Sequence, residues 1–229
     1  MDVFGPASSS SSSSPASSSA SSPASSPASS PVPALQLFHL DSGGGGMPEE
    51  LYLPQIAWFN ATIARRRKQF GGAIVPALVF VHIPMAEFAT ASSAKSHCFG
   101  DHVDGITPTV ANHGLFAALE AAPEIEAVFV GHDHCNDFCC QWGARAIDLC
   151  FGRHSGAGGY QCTGYQYGAR VITVSLSNSS RSDSSVHASG ASGKGNEGNG
   201  EGEGNGGPLR IDTHVRLMNG TIINRGTLK

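Results

Sequence analysis

The chain has 229 residues, with 14 Lys and Arg against 18 Asp and Glu, for a formal net charge of −4. That balance leaves no basic footprint for nucleic acid, and no apolar stretch approaches the roughly 18–20 residues that a membrane helix needs. Ser8 to Ser30 holds only Ser, Ala and Pro, and Ser179 to Gly207 is mostly Ser, Gly, Asn, Glu and Lys, so neither tract buries enough apolar surface to offset the entropy of ordering it.

The elements follow in chain order. Met1 to Pro6 runs straight into serine with no apolar core, so no signal peptide is visible. Leu35 to Leu40 is short and apolar, is stopped by Ser42 and four glycines, and reads as a strand. Pro54 to Phe70 reads as a helix. Ile56, Phe59 and Ile63 recur at helical spacing, Pro54 suits a first turn, and Gly71-Gly72 ends it. Arg65-Arg66-Arg67-Lys68 falls in the last turn, where the helix dipole favours cations.

Ala77 to His82 is β-rich, nearly uninterrupted and opened by Pro76, so it should be a strand buried on both faces. Val110 to Ala122 reads as a helix ended by Pro123. Glu126 to Val130 is a second buried strand, closed by Gly131. Arg145 to Phe151 and Ala169 to Leu176 are further strands. Arg210 to Leu217 and Thr221 to Asn224 flank Asn219-Gly220, a type I′ hairpin signal. Strands outnumber helices while a helix separates the two most buried strands, which implies a mixed α/β sheet stack.

The cysteines are Cys98, Cys135, Cys139, Cys140, Cys150 and Cys162. An even count permits disulfides, but the spacing fits no compact secreted scaffold, and most read as free thiols. Cys150, on a strand, reads as a small buried hydrophobe. A zinc knuckle built on Cys135, Cys139 and Cys140 lacks a partner pair at the usual distance. Sequons at Asn60, Asn178 and Asn219 say little about secretion.

The chemistry concentrates in Gly131-His132-Asp133-His134-Cys135-Asn136-Asp137-Phe138. A glycine at a strand end permits a sharp turn and a close backbone approach. Two imidazoles, borderline ligands for Zn, Fe and Mn, then project from that turn. His82 ends the other buried strand at the same relative position, and loops at the ends of buried strands are where α/β proteins place their sites.

A strand ending in His, a helix, then a strand ending in Gly-His-x-His resembles the last two motifs of the calcineurin-like metallophosphoesterases. His82 to Phe88, Gly131 to Cys139, Leu149 to Gly156 and Gly159-Tyr160 resemble one branch of that family, the probable inactive purple acid phosphatases and their fungal phosphoesterase relatives. Leu40 to Gly43 and Gln55 to Phe59 match it as well. The resemblance implies an α/β fold, the C-terminal half of an α/β/β/α sandwich with mixed sheets. It implies metal-dependent hydrolysis of a phosphoester substrate by a dinuclear centre of Fe, Mn or Zn. His82 and His132 would ligate one metal and His134 the other. Asp133 and Asn136 would orient the histidines or simply form the turn. Arg153 and His154 would contact phosphate or be solvated turn residues.

The departures are as informative. The family's Asp-x-His, Gly-Asp-x-x-Asp and Gly-Asn-His motifs do not occur upstream of His82. Asn112-His113-Gly114 falls after His82, at a helix entry, and is no substitute. The chain therefore reads as the C-terminal half of a phosphoesterase domain. It comprises a low-complexity insert over 1–33, the half-domain over 34–178, a disordered insert over 179–207 and a terminal hairpin over 208–229. Such a half should bind metal weakly and hydrolyse nothing measurable. The rival reading is a non-catalytic remnant serving as a scaffold or interaction module.

Overall fold

The computed structural model describes residues 32–176 and 209–228. The two low-complexity tracts, expected to be inserts, lie outside the described residues. The described chain forms β1 (Gln36–Leu40), α1 (Leu53–Gln69), β2 (Ala77–Val81), α2 (Ala86–Ala94), α3 (Leu115–Ala121), β3 (Ile125–Val130), β4 (Cys139–Trp142), β5 (Ile147–Phe151), β6 (Gly168–Leu176), β7 (Leu209–Leu217) and β8 (Ile222–Leu228). Helices and a mixed sheet make it an α/β structure.

One sheet runs β1-β2-β3-β5-β4 and a second, antiparallel, runs β6-β7-β8. In the first sheet β1, β2, β3 and β5 are parallel, and β4 returns antiparallel to β5. Side-chain alternation divides the core. Val79, Val81, Val128, Val130, Leu149 and Phe151 face the helices and pack with Phe59, Phe88 and Leu119. Leu78, Ala127, Phe129, Cys139 and Cys150 face the second sheet and pack with Ile211 and Leu228. Burial on both faces explains why β2 and β3 read as nearly unbroken apolar runs.

Pro54 lies in the first turn of α1, and Arg66, Arg67 and Lys68 lie in its last. One of these cations has a further role. Arg67 forms a bidentate pair with the buried Glu124, through Nε–Oε1 and Nη2–Oε2 contacts of 2.8 Å each. The helix expected over 110–122 starts late, at Leu115. The Val110 N–H is drawn to Glu49 O, Asn112 Oδ1 accepts the Gly114 N–H, and Gly114 has φ 81°. These bonds hold residues 110–114 out of the helix.

Two elements carry weak sequence patterns. α2 is mostly Ala, Ser and Thr and buries only Phe88 and Ala91. β4 has four residues and is an edge strand. The terminal hairpin forms where Asn219-Gly220 signals it, but its turn is not type I′. The Gly220 N–H bonds to Leu217 O and the Leu217 N–H to Thr221 O, and of the loop residues Met218, Asn219 and Gly220 only Gly220 has positive φ. That is a three-residue loop with a glycine bulge, because type I′ needs positive φ at both central residues.

The free-thiol reading is overturned. Cys98–Cys140, Cys135–Cys162 and Cys139–Cys150 are disulfides, and no described cysteine is free. Adjacent Cys139 and Cys140 serve different bridges because strand neighbours point to opposite faces. Cys139 lies directly across from Cys150 on β5, while Cys140 turns to the helical face and meets Cys98. The spacing matched no scaffold because the partners are set by sheet pairing. With every described thiol oxidised, a zinc knuckle is excluded for these residues.

Candidate metal centre

The parallel strands β1, β2, β3 and β5 end at one edge of the first sheet, and each hands over to a loop there. The loop after β1 is tied to the end of β2, where Ser42 Oγ accepts the Ile83 N–H at 3.0 Å. The Gly131 N–H donates to His82 O at 2.9 Å, and the Gly152 N–H to Val130 O at 2.8 Å. A Cβ on Gly131 would sit 3.2 Å from His82 Nδ1, a tight contact that the glycine avoids where the His82 ring lies against the next strand.

His82 and His132 meet edge to face, with ring centroids 5.5 Å apart. His132 has φ 69°, an uncommon conformation for a residue with a side chain. Burial first, then the neighbouring His132 and His134, push the His82 pKa below its ordinary value. Burial thus favours the neutral form of His82, the form that binds metal. His134 has further partners of its own. Its Nδ1 is 2.6 Å from Tyr160 O, and its ring stacks with those of Tyr160 and His154.

Asp133 and Asn136 are buried and bond to the segment 103–107. Both Asp133 carboxylate oxygens take the Thr107 N–H, at 3.2 and 3.1 Å. Asn136 Oδ1 takes the N–H groups of Val103 and Asp104, and its Nδ2 donates to Asp104 O. Burial raises the Asp133 pKa, an effect the Thr107 hydrogen bonds oppose. These two residues clamp a crossing loop over the motif.

Arg153 and His154 also bond within the protein. Arg153 Nη1 lies 2.5 Å from Asp137 Oδ2 and its Nε 2.7 Å from Gln166 O. His154 Nε2 lies 2.7 Å from Gly158 O. A cleft of about 450 Å3 opens beside His82, lined among others by His39, Phe80, Phe129, Arg170 and Ile172. Three of its rings form a ladder, His39 on Phe80 at 5.1 Å and Phe80 on Phe129 at 5.2 Å.

Two residues went unassigned in the sequence. Asp137, fully buried, accepts from Arg153, from the Asp101 N–H at 2.7 Å and from Asn224 Nδ2 at 2.8 Å. Tyr160 contacts His134 through ring, carbonyl and hydroxyl. Both stand inside the quoted motif segments, and that adjacency was the available signal.

The donor set tests whether a dinuclear centre fits. His82, His132 and His134 offer imidazoles. Among the described residues the one group of three ligand-type side chains within 4.8 Å of one another is Asp104, Cys135 and Cys162. Cys135 and Cys162 are bonded to each other, so that group is no metal site. Three imidazoles alone do not complete a dinuclear centre.

The α/β arrangement of helices and a mixed sheet is consistent with a partial metallophosphoesterase fold. The chain is 32% identical over 159 residues to probable inactive purple acid phosphatase 29 of Arabidopsis thaliana, covering 64% of this chain and 40% of that one. It is 35% identical over 104 residues to probable inactive purple acid phosphatase 14, covering 45% and 25%, and 28% identical over 122 residues to number 28, covering 53% and 30%. Both are from the same plant. No protein-family profile and no solved structure matches the chain. The chain is similar to purple acid phosphatase-like proteins over their C-terminal portion. It spans 40% or less of the length of these relatives. No described helix is long and apolar enough to cross a membrane.

Proposed function

We propose that the chain supplies the histidine-bearing part of a two-metal phosphoester hydrolase site, with His82 and His132 holding one ion of Fe, Mn or Zn and His134 holding the other. The observation that carries this reading is the His82–His132 pair, brought to 5.5 Å by adjacent parallel strands. Bound ions would supply Lewis-acid stabilisation of the charge that develops on a phosphoryl group. The chain's own residues do the positioning. Gly131 leaves room for the His82 ring, burial favours that ring's neutral form, and the Asp133 and Asn136 clamps hold the turn that presents His132 and His134.

Metal sites usually draw three or four protein ligands for each ion. Two histidines for one ion and one for the other predict weak binding and no measurable hydrolysis by this chain. Isothermal titration with Zn2+ and Mn2+, with p-nitrophenyl phosphate as substrate, tests both points. Weak binding that the H82A/H132A double variant abolishes, without turnover, is the expected result. Binding that the double variant leaves unchanged overturns the ligand assignment.

A scaffold or interaction role is the second reading. It is favoured by Leu37, 57% exposed on the edge strand β1, beside an exposed His39. The mass of the native species separates the two. A species well above 23.6 kDa supports the enzyme portion, and one at that mass supports the scaffold.

A further inference from the structure

Tyr160 has no part in the reading above, yet it engages His134 three ways. Its ring lies over the imidazole with centroids 4.2 Å apart and planes 8° apart. Its carbonyl oxygen is 2.6 Å from His134 Nδ1. Its hydroxyl accepts the His134 backbone N–H at 2.9 Å and donates to Asp104 Oδ2.

The carbonyl contact decides a chemical question. A carbonyl oxygen only accepts, so Nδ1 must carry the imidazole proton and Nε2 keeps a free lone pair. His154 stacks on the same imidazole at 3.9 Å, but its own Nε2 faces Gly158 O, so it does not compete for either His134 nitrogen.

Two further features hold Tyr160 in place. Gly159 has φ 77°, and a Cβ there would lie 2.5 Å from His134 Cε1, so only glycine lets the segment come this close. The Cys135–Cys162 disulfide joins the residue after His134 to the second residue after Tyr160, closing the loop covalently around the contact.

We propose that Tyr160 is a positioning residue for His134, fixing its ring as the Nδ1–H tautomer with Nε2 free for an ion, and that Gly159 and the Cys135–Cys162 disulfide hold it there. The link to metal rests on the proposed function. The tautomer does not, and it is the first readout.

The experiment uses the full chain with 15N-labelled histidine. Long-range 1H–15N spectra of the metal-free protein report which ring nitrogen is protonated, and Zn2+ titration follows. The wild type should show His134 protonated at Nδ1. Y160A, G159A and C135S/C162S should each mix the tautomers and weaken Zn2+ binding by about 10–100-fold, the usual effect of losing a partner that orients a ligand. Y160F keeps the stacked ring that holds the backbone carbonyl against Nδ1 and should hold the tautomer. A wild-type His134 protonated at Nε2 overturns the proposal. So do G159A and Y160A proteins with wild-type tautomer and affinity. A wild type that binds no Zn2+ yet keeps a tautomer that Y160A scrambles would uphold the positioning role and remove the metal reading.

Discussion

Arg153 and Asp137 form a buried ion pair that joins the end of β5 to the histidine turn. Arg153 takes φ 64°, its side chain is 3% exposed against 0% for Asp137, and Nη1 lies 2.5 Å from Oδ2. Asp137 also gathers the Asp101 N–H and Asn224 Nδ2, and Arg170 donates to its backbone carbonyl. Asn224 sits where the β7–β8 register shifts, with φ 50°, so the bulge aims its amide at this carboxylate. One carboxylate thus ties the turn, the 101–107 loop and the terminal hairpin together.

Removing one partner leaves the other buried and unpaired, which costs about 3–5 kcal/mol. Asp137→Ala and Arg153→Met should each lose stability on that scale in guanidinium denaturation. The double variant should lose less than the sum, because the second removal discards a charge that is already unpaired. Simple additivity would show that the two side chains do not share one interaction.

What the sequence disclosed follows from which forces act locally. Ala77 to Val81 and Ile125 to Val130 are legible because burial on both faces demands unbroken apolar runs. His82 and His132 are legible because each directly follows or closely trails such a strand. The disulfides are not legible, since Cys139 finds Cys150 only through the β4–β5 register. The inward turn of Arg153 is equally hidden. An arginine after a strand end among glycines gives no sign of its ion pair with Asp137, 16 residues away in sequence. Helix α2 escapes because Ala, Ser and Thr give no clear apolar stripe.

The disulfides make a direct chemical prediction. The denatured, unreduced chain should incorporate no iodoacetamide, and full incorporation should follow only after reduction. In the chain-entropy account, bridges spanning separations of 42 and 11 residues stabilise by about 4 and about 3 kcal/mol. C98A/C140A should therefore lower the denaturation midpoint more than C139A/C150A. Equal losses would show that native packing, not loop length, sets the difference.

Gly100 tests the packing of the crossing loop. Its φ is 91°, and a Cβ there would lie 2.5 Å from Asp137 O and 2.8 Å from Phe138 Cα. Both neighbours are backbone and cannot turn aside. Gly100→Ala should lose about 1–3 kcal/mol from strain and overpacking. Gly105 on the same loop has nothing within 4 Å of its added Cβ, so Gly105→Ala should stay within about 0.5 kcal/mol of the wild type. Similar thermal midpoints for the two variants would contradict the close approach of this loop to the Asp137 turn.

Tyr165 gives the fold a dependence on alkaline pH. Its ring is 7% exposed and lies under the Arg153 guanidinium, with Cζ 3.6 Å from the ring centroid. Burial first, and then the Asp137 charge, raise its pKa well above the ordinary 10.0. Tyr160, pushed up to about 12 by burial and by its bond to Asp104, should ionise before it. The sign follows from proton counting. Above pH 10 the unfolded chain releases the phenolic proton while the folded chain keeps it, so unfolding is drawn forward. The stability tied to neutral Tyr165 is complete below pH 10 and is lost as pH rises beyond it. Tyrosinate absorbance from Tyr165 should appear together with loss of near-ultraviolet circular dichroism, in one step. Tyr165→Phe should remove that share of the absorbance and flatten the fall in stability above pH 10. Ionisation of Tyr165 near pH 10 with the fold intact would mean that its ring is not enclosed beneath Arg153.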